Sequence, residues 1–222
     1  MLNDLTAQAL GPPVWLAAIA VIALVGSDYR GWRLGRYLCK PLAAAAFVWL
    51  ALRLNATDSA YGSWLLAGLV CCLLGDLCLM FEDERAFLAG LGAFLTGHLL
   101  YSIAFLQLPA NPTGLLLSAV PAALLLALVL RWLMPTVQGT MRLPVALYVV
   151  VITAMLCTAG LSAGQAVAPL AIAGAWLFAL SDIAVARQQF VAPTRRNALW
   201  GTPVYFIAQL LLASTVALVL PA

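Results

Sequence analysis

Residues 113–130 read TGLLLSAVPAALLLALVL, eighteen consecutive positions without a charge, with Pro112 before them and Arg131 after. As a helix rising 1.5 Å per residue, that run reaches about 27 Å, close to the ~30 Å hydrocarbon core of a bilayer. It is continuous and does not alternate apolar with polar positions, so it excludes a barrel strand. Working outward, apolar runs separated by Gly, Pro or charge place the spans at 6–26, 40–54, 61–81, 86–107, 113–133, 141–160, 167–187 and 199–220. Pro12-Pro13 interrupts the first run and the second is short. The expected fold class is all-α: a polytopic integral membrane bundle of eight transmembrane helices, one transmembrane domain over residues 1–222.

Composition excludes the other classes. Of 222 residues, 65% are hydrophobic and 9% charged, whereas a soluble domain is near a quarter charged. Disorder requires low hydrophobicity and high charge, the reverse of what is found. The net charge of +3 arises without a basic run, so nucleic acid is not an expected partner. The five cysteines (Cys39, Cys71, Cys72, Cys78, Cys157) have no paired metal spacing and read as small apolar side chains. The opening Met1-Leu2-Asn3-Asp4 lacks the basic start of a secretory signal, so the first helix is expected to be retained.

Basic residues set the expected orientation. Arg30, Arg33, Arg36 and Lys40 fall at the first connection and Arg85 at the third. Arg131 and Arg142 fall at the fifth, and Arg187, Arg195 and Arg196 at the seventh; the even connections hold only Arg53. By the positive-inside rule the odd connections are cytoplasmic and both termini are not. A weak internal repeat, about 1–108 and 109–222, accompanies this. Lys40-Pro41 matches Leu143-Pro144, Gly75-Asp76 matches Ser181-Asp182, and Tyr101 matches Tyr205, at offsets of 103, 106 and 104 residues. Four spans per half make such a repeat parallel, with any shared site between the halves.

Ionisable side chains inside a span cost about 2.5–3.5 kcal/mol on insertion scales and mark functional positions. Asp76 lies late in the third span and Asp182 late in the seventh. His98, the single histidine, lies mid-span in the fourth, one turn before Tyr101. Lys40 opens the second span, and Tyr148, Tyr205 and Gln209 add polar groups in the sixth and eighth. The directions of these spans put Asp76, Asp182, Tyr148 and Tyr205 in the cytoplasmic half and His98 near the midplane, in one depth zone. A shared depth points to one pocket; the plainer reading is a hydrogen-bond network that fixes packing, and for Lys40 a side chain that snorkels to the interface. Glu82-Asp83-Glu84 reads as a solvated turn whose Asp83 caps the fourth span.

Two motifs are set aside. Gly160-Leu161-Ser162-Ala163-Gly164 has the nucleophile-elbow pattern, but that pattern requires a strand-to-helix turn, and here it ends a membrane helix away from the only His. One His and unclustered Cys do not form a zinc site, so no metal and no cofactor is expected. Any activity is accordingly expected to survive EDTA; loss in EDTA with recovery on adding zinc would overturn this.

Gly75-Asp76-Leu77-Cys78-Leu79-Met80-Phe81, Phe87-Leu88-Ala89-Gly90-Leu91-Gly92-Ala93-Phe94 and His98-Leu99-Leu100-Tyr101 together resemble the YhhN family of membrane proteins. Lys40-Pro41, Tyr148, Ser181-Asp182 and Pro203-Val204-Tyr205 fit the same pattern, and the resemblance covers nearly the whole chain. It implies an integral protein of a bacterial inner membrane that hydrolyses the vinyl ether bond of lysoplasmalogens, with a lysophospholipid substrate and membrane lipids as its partners.

The residues suit that chemistry. Protonation of the vinyl ether β-carbon gives an oxocarbenium ion that water captures. An acid working near neutral pH must hold its proton there, which burial favours, and a second carboxylate steadies the cation. Asp76 and Asp182 are the candidate catalytic pair, with their roles unassigned, and His98 orients water or relays a proton. Lys40, Tyr101, Tyr148, Tyr205 and Gln209 are the candidate substrate-binding residues. The competing classes are a small transporter using the same Asp and His residues as a proton relay, and a lipid-binding or assembly protein.

Overall fold

Each apolar run folds as a helix. In the computed structural model, which describes residues 2–81 and 83–219 with side chains from residue 11 onward, these are α1 (Leu2–Arg30), α2 (Arg33–Arg53), α3 (Ala60–Cys78), α4 (Glu84–Phe105), α5 (Pro112–Leu133), α6 (Arg142–Leu161), α7 (Ala168–Ala186) and α8 (Arg195–Ser214). Among the described residues there is no strand. Lipid offers no hydrogen bonds, so helices with satisfied ends are the structure such a chain can adopt. Ser59, Asp83 and Asn111 each accept a backbone N–H of the turn they open, from Gly62 (3.0 Å), Ala86 (2.9 Å) and Gly114 (3.0 Å). The expected Asp83 cap is thus present. Glu82, the side chains of Met1–Asp4 and position 220 lie outside the described residues.

Seven of the helices are long and apolar enough to cross a membrane. The other, α2, is 21 residues long, which gives it about 30 Å of reach. Its apolar content is lowered by Arg33, Arg36, Lys40 and Arg53. It starts seven residues before the expected position 40, because Arg33 and Arg36 are helical although their charge removes them from an apolar run. Arg195 and Arg196 lengthen α8 in the same way. α1 continues through Pro12 and Pro13 without a break. The bundle therefore keeps its expected helix count, with basic residues wound into the helix ends.

Chain-adjacent helices form the closest pairs: α1 with α2, α3 with α4, α5 with α6, α7 with α8. α2 then packs on α3 and α8, and α4 packs on α6. With apolar surface on both the lipid and protein sides, helices associate through close packing of small residues. Gly68 of α3 faces the Tyr101 ring, where a Cβ would lie 2.5 Å from it, and a Cβ on Gly75 would lie 2.7 Å from the Phe94 ring. These two absences of a side chain let α4 bring its aromatic face against α3, next to Asp76.

A cavity of about 920 Å³ opens at the end of the bundle that carries the odd-numbered connections, reaching Asp28, Phe81, Met141 and Gln188 there. Its inner wall is apolar, built by Leu91 and Phe94 of α4, Leu125 and Val129 of α5, and Val149 and Ile152 of α6.

Candidate active site

Asp76 sits in the last turn of α3 and is 2% exposed. Its Oδ1 is 3.3 Å from Lys40 Nζ, and its Oδ2 accepts a 2.6 Å hydrogen bond from the Tyr205 hydroxyl. Lys40 reaches inward because α2 begins at Arg33, placing it two turns into the helix. Arg36, one turn earlier, instead pairs with Asp28 at 2.8 Å. Asp76 is therefore a buried carboxylate with a counter-charge and a donor, the condition under which a charge is tolerated away from water.

Asp182, near the end of α7, has different company. Its Oδ2 lies 3.3 Å from His98 Nε2 at an angle that makes no hydrogen bond, and neither atom has another partner. Tyr148 lines the cavity beside the same carboxyl group. His98 is fully buried; its Nδ1 lies 2.6 Å from Phe94 O. A carbonyl only accepts, so Nδ1 carries the ring proton and a neutral His98 presents a bare Nε2 to Asp182. Attraction across that gap requires one more proton, on the carboxyl or on the ring. Phe178 stacks on the imidazole at 4.2 Å between centroids, and Tyr148 meets its edge at 5.3 Å.

Asp76 and Asp182 both line the cavity, with Lys40, Tyr148 and Tyr205. His98 stands behind Asp182 and does not line it. Tyr101 and Gln209 are also off the cavity: they lie one turn deeper than His98 and Tyr205 and bond to each other, Tyr101 donating to Gln209 Oε1 at 2.6 Å. The sequence reading did not single out Phe178. Its signal was the i, i+4 spacing of Phe178 and Asp182, which repeats that of Phe94 and His98 and puts an aromatic ring beside each polar group.

Ser162 donates to Ala159 O at 2.7 Å at the α6 C-terminus, the end of the bundle opposite the cavity mouth. Ser162→Ala is expected to leave hydrolysis intact, and fluorophosphonates are expected not to label the protein. Stoichiometric labelling at Ser162 would overturn that.

A helical bundle with one buried and one part-buried carboxylate facing a largely apolar cavity defines a polytopic integral membrane protein built around an intramembrane polar site. The chain belongs to the YhhN family, whose model matches residues 35–216 and thus contains both carboxylates and their partners. It is 35% identical over 204 residues to the lysoplasmalogenase TMEM86B of Homo sapiens, covering 91% of this chain and 84% of that protein. It is 30% identical over 183 residues to the lysoplasmalogenase of Mycobacterium tuberculosis, covering 80% and 69%. No solved structure matches the chain.

Proposed function

We propose that the protein is a lysoplasmalogenase: it hydrolyses the vinyl ether bond of a lysoplasmalogen to a fatty aldehyde and a glycerophospho-alcohol, by acid–base catalysis with Asp182 and Asp76. The observation that carries this is the unlike surroundings of two carboxyl groups in one cavity, since separate acid and base roles require separate environments. The apolar wall suits a single hydrocarbon chain, and Lys40 and Arg36 place positive charge on the side where a phosphate would lie. The similarity to lysoplasmalogenases supports the same substrate class.

In this reading Asp182, with the extra proton of its His98 pair, protonates the β-carbon. The π electrons form the new C–H bond, and the ether oxygen lone pair forms the oxocarbenium ion. Asp76, kept as a carboxylate by Lys40 and Tyr205, faces the cation and takes a proton from the attacking water. The hemiacetal hydroxyl then returns a proton to Asp182 as the C–O bond breaks, and Asp76 gives its proton to the departing alkoxide. One water is consumed and both carboxyl groups are restored. Tyr148 packs edge-on against the His98 ring beside Asp182, while the Tyr101–Gln209 bond supports the site from below.

The test is aldehyde release from 1-alkenyl lysophospholipid by purified, detergent-solubilised protein, with aldehyde and glycerophospho-alcohol formed one to one. No release, together with proton-coupled uptake in vesicles, would favour a transporter. We further place the chain in a bacterial inner membrane with both termini outside the cytoplasm. The eight helices, seven of them long and apolar enough to cross a membrane, and the ten-to-one split of basic residues support this. A C-terminal reporter is expected to be inactive in the cytoplasm, and activity there would overturn the orientation. The two-half arrangement is likewise a proposal. It is supported by Asp76 meeting α2 and α8 while Asp182 meets His98 of α4, whose ring packs on Tyr148 of α6.

A further inference from the structure

Beyond Ala186, α7 runs into a π turn, Arg187–Val191, before α8 begins at Arg195. Widened turns of this kind are uncommon and concentrate at functional positions. A set of hydrogen bonds pins this one. Asn197, 2% exposed, donates from Nδ2 to Gln188 Oε1 (2.9 Å) and to Ala192 O (2.8 Å), and the Thr194 N–H donates to the same Gln188 oxygen (3.0 Å). The pinned turn gathers Arg187, Arg195 and Arg196 around a groove of about 640 Å³, which Trp132 of α5 and Trp200 of α8 also line. No acidic residue lines the groove. Arg195 spends one N–H on Tyr29 O (3.1 Å). Among the described residues, Arg187, Arg195 and Arg196 have no carboxylate partner.

Three arginines lining one groove without a carboxylate give it a positive potential that favours an anion. Guanidinium forks match phosphate oxygens two at a time. The place is informative as well: the groove lies where two spanning helices end, with indole rings at the depth they prefer in a bilayer interface. We propose that this groove binds the phosphate of an anionic phospholipid drawn from the surrounding bilayer, at a site separate from the two carboxylates. Neither Asp76 nor Asp182 lines it, although it adjoins the catalytic cavity along Ile183, Thr194, Arg195 and Asn197, which line both. Basic pockets between transmembrane helices recognise anionic headgroups in this way. The proposal is independent of the hydrolase reading.

The experiment measures binding of phosphatidylglycerol to the delipidated protein in neutral detergent by native mass spectrometry, beside phosphatidylcholine and inorganic phosphate. Phosphatidylglycerol is expected to bind, phosphatidylcholine to bind more weakly, and inorganic phosphate at millimolar concentration not to displace the lipid. Arg187 and Arg196 lie outside the catalytic cavity and are exposed. The double variant Arg187→Gln/Arg196→Gln is expected to weaken phosphatidylglycerol binding roughly 30-fold, from about fivefold per arginine. Its unfolding temperature in lipid-free detergent is expected to stay unchanged, and Arg187→Lys/Arg196→Lys is expected to recover part of the binding. Undiminished binding in the Gln pair, equal binding of phosphatidylcholine, or displacement by inorganic phosphate would overturn the proposal.

Discussion

Asp182→Asn is expected to slow aldehyde release by about 10²–10⁴-fold, the range that general acid–base groups contribute, and Asp76→Asn by a similar factor for a different reason. The amide at position 182 keeps the size and can donate to His98 Nε2, so the contact survives, but it has no acidic proton to deliver to carbon. The amide at position 76 keeps the Tyr205 contact and loses the charge that faces the cation. Both losses should fall on kcat, because each interaction matters most in the transition state. His98→Gln should cost less if the ring only orients Asp182, and as much as Asp182→Asn if it shares the transferred proton. Tyr148→Phe and Tyr205→Phe should be milder again. Two well-folded Asp→Asn variants with near-original rates would refute the carboxylate mechanism.

Lys40→Met is expected to be the most destabilising single change at the site. It strips the counter-charge from a carboxylate that is 3% exposed, and removing one partner of a buried pair costs about 3 kcal/mol or more. The prediction has a second arm. Lys40→Met/Asp76→Asn removes both charges and is expected to regain most of the lost stability, while remaining as inactive as Asp76→Asn alone. Denaturation in mixed micelles of the two single variants and the double variant closes the cycle. Equal stability of Lys40→Met and the unaltered protein would show that the 3.3 Å contact carries no net energy.

The helices could be read from the sequence because an apolar run long enough to cross lipid has few other structures open to it. The ends of α2 and α8 could not, since hydropathy discards Arg33 and Arg195 although both are helical. Asp76 and Asp182 stood out as charges inside spans. Their partners did not: Tyr205 lies 129 positions from Asp76, and nothing local signals which helix will face which. Common depth grouped Tyr101 and Gln209 with the cavity residues, yet depth carries no information on azimuth, and these two turn toward each other one turn below. The unsatisfied contact of His98 with Asp182 is likewise visible only in three dimensions, because it depends on the Phe94 carbonyl fixing the ring.

The partners of the two acids also have a direction along the chain. Lys40 precedes Asp76, and His98 precedes Asp182. A ribosome delivering this protein to the translocon therefore exports each acid only after its basic partner has already been made. An aspartate entering lipid alone carries a penalty of about 2.5–3.5 kcal/mol, and here it never has to wait for a later segment to be neutralised. Tyr205 then arrives with the final helix, so the Asp76 half of the site is completed last. Chains stalled before α8 would hold a paired carboxylate in the membrane without the donor that orients it, inserted and still inert.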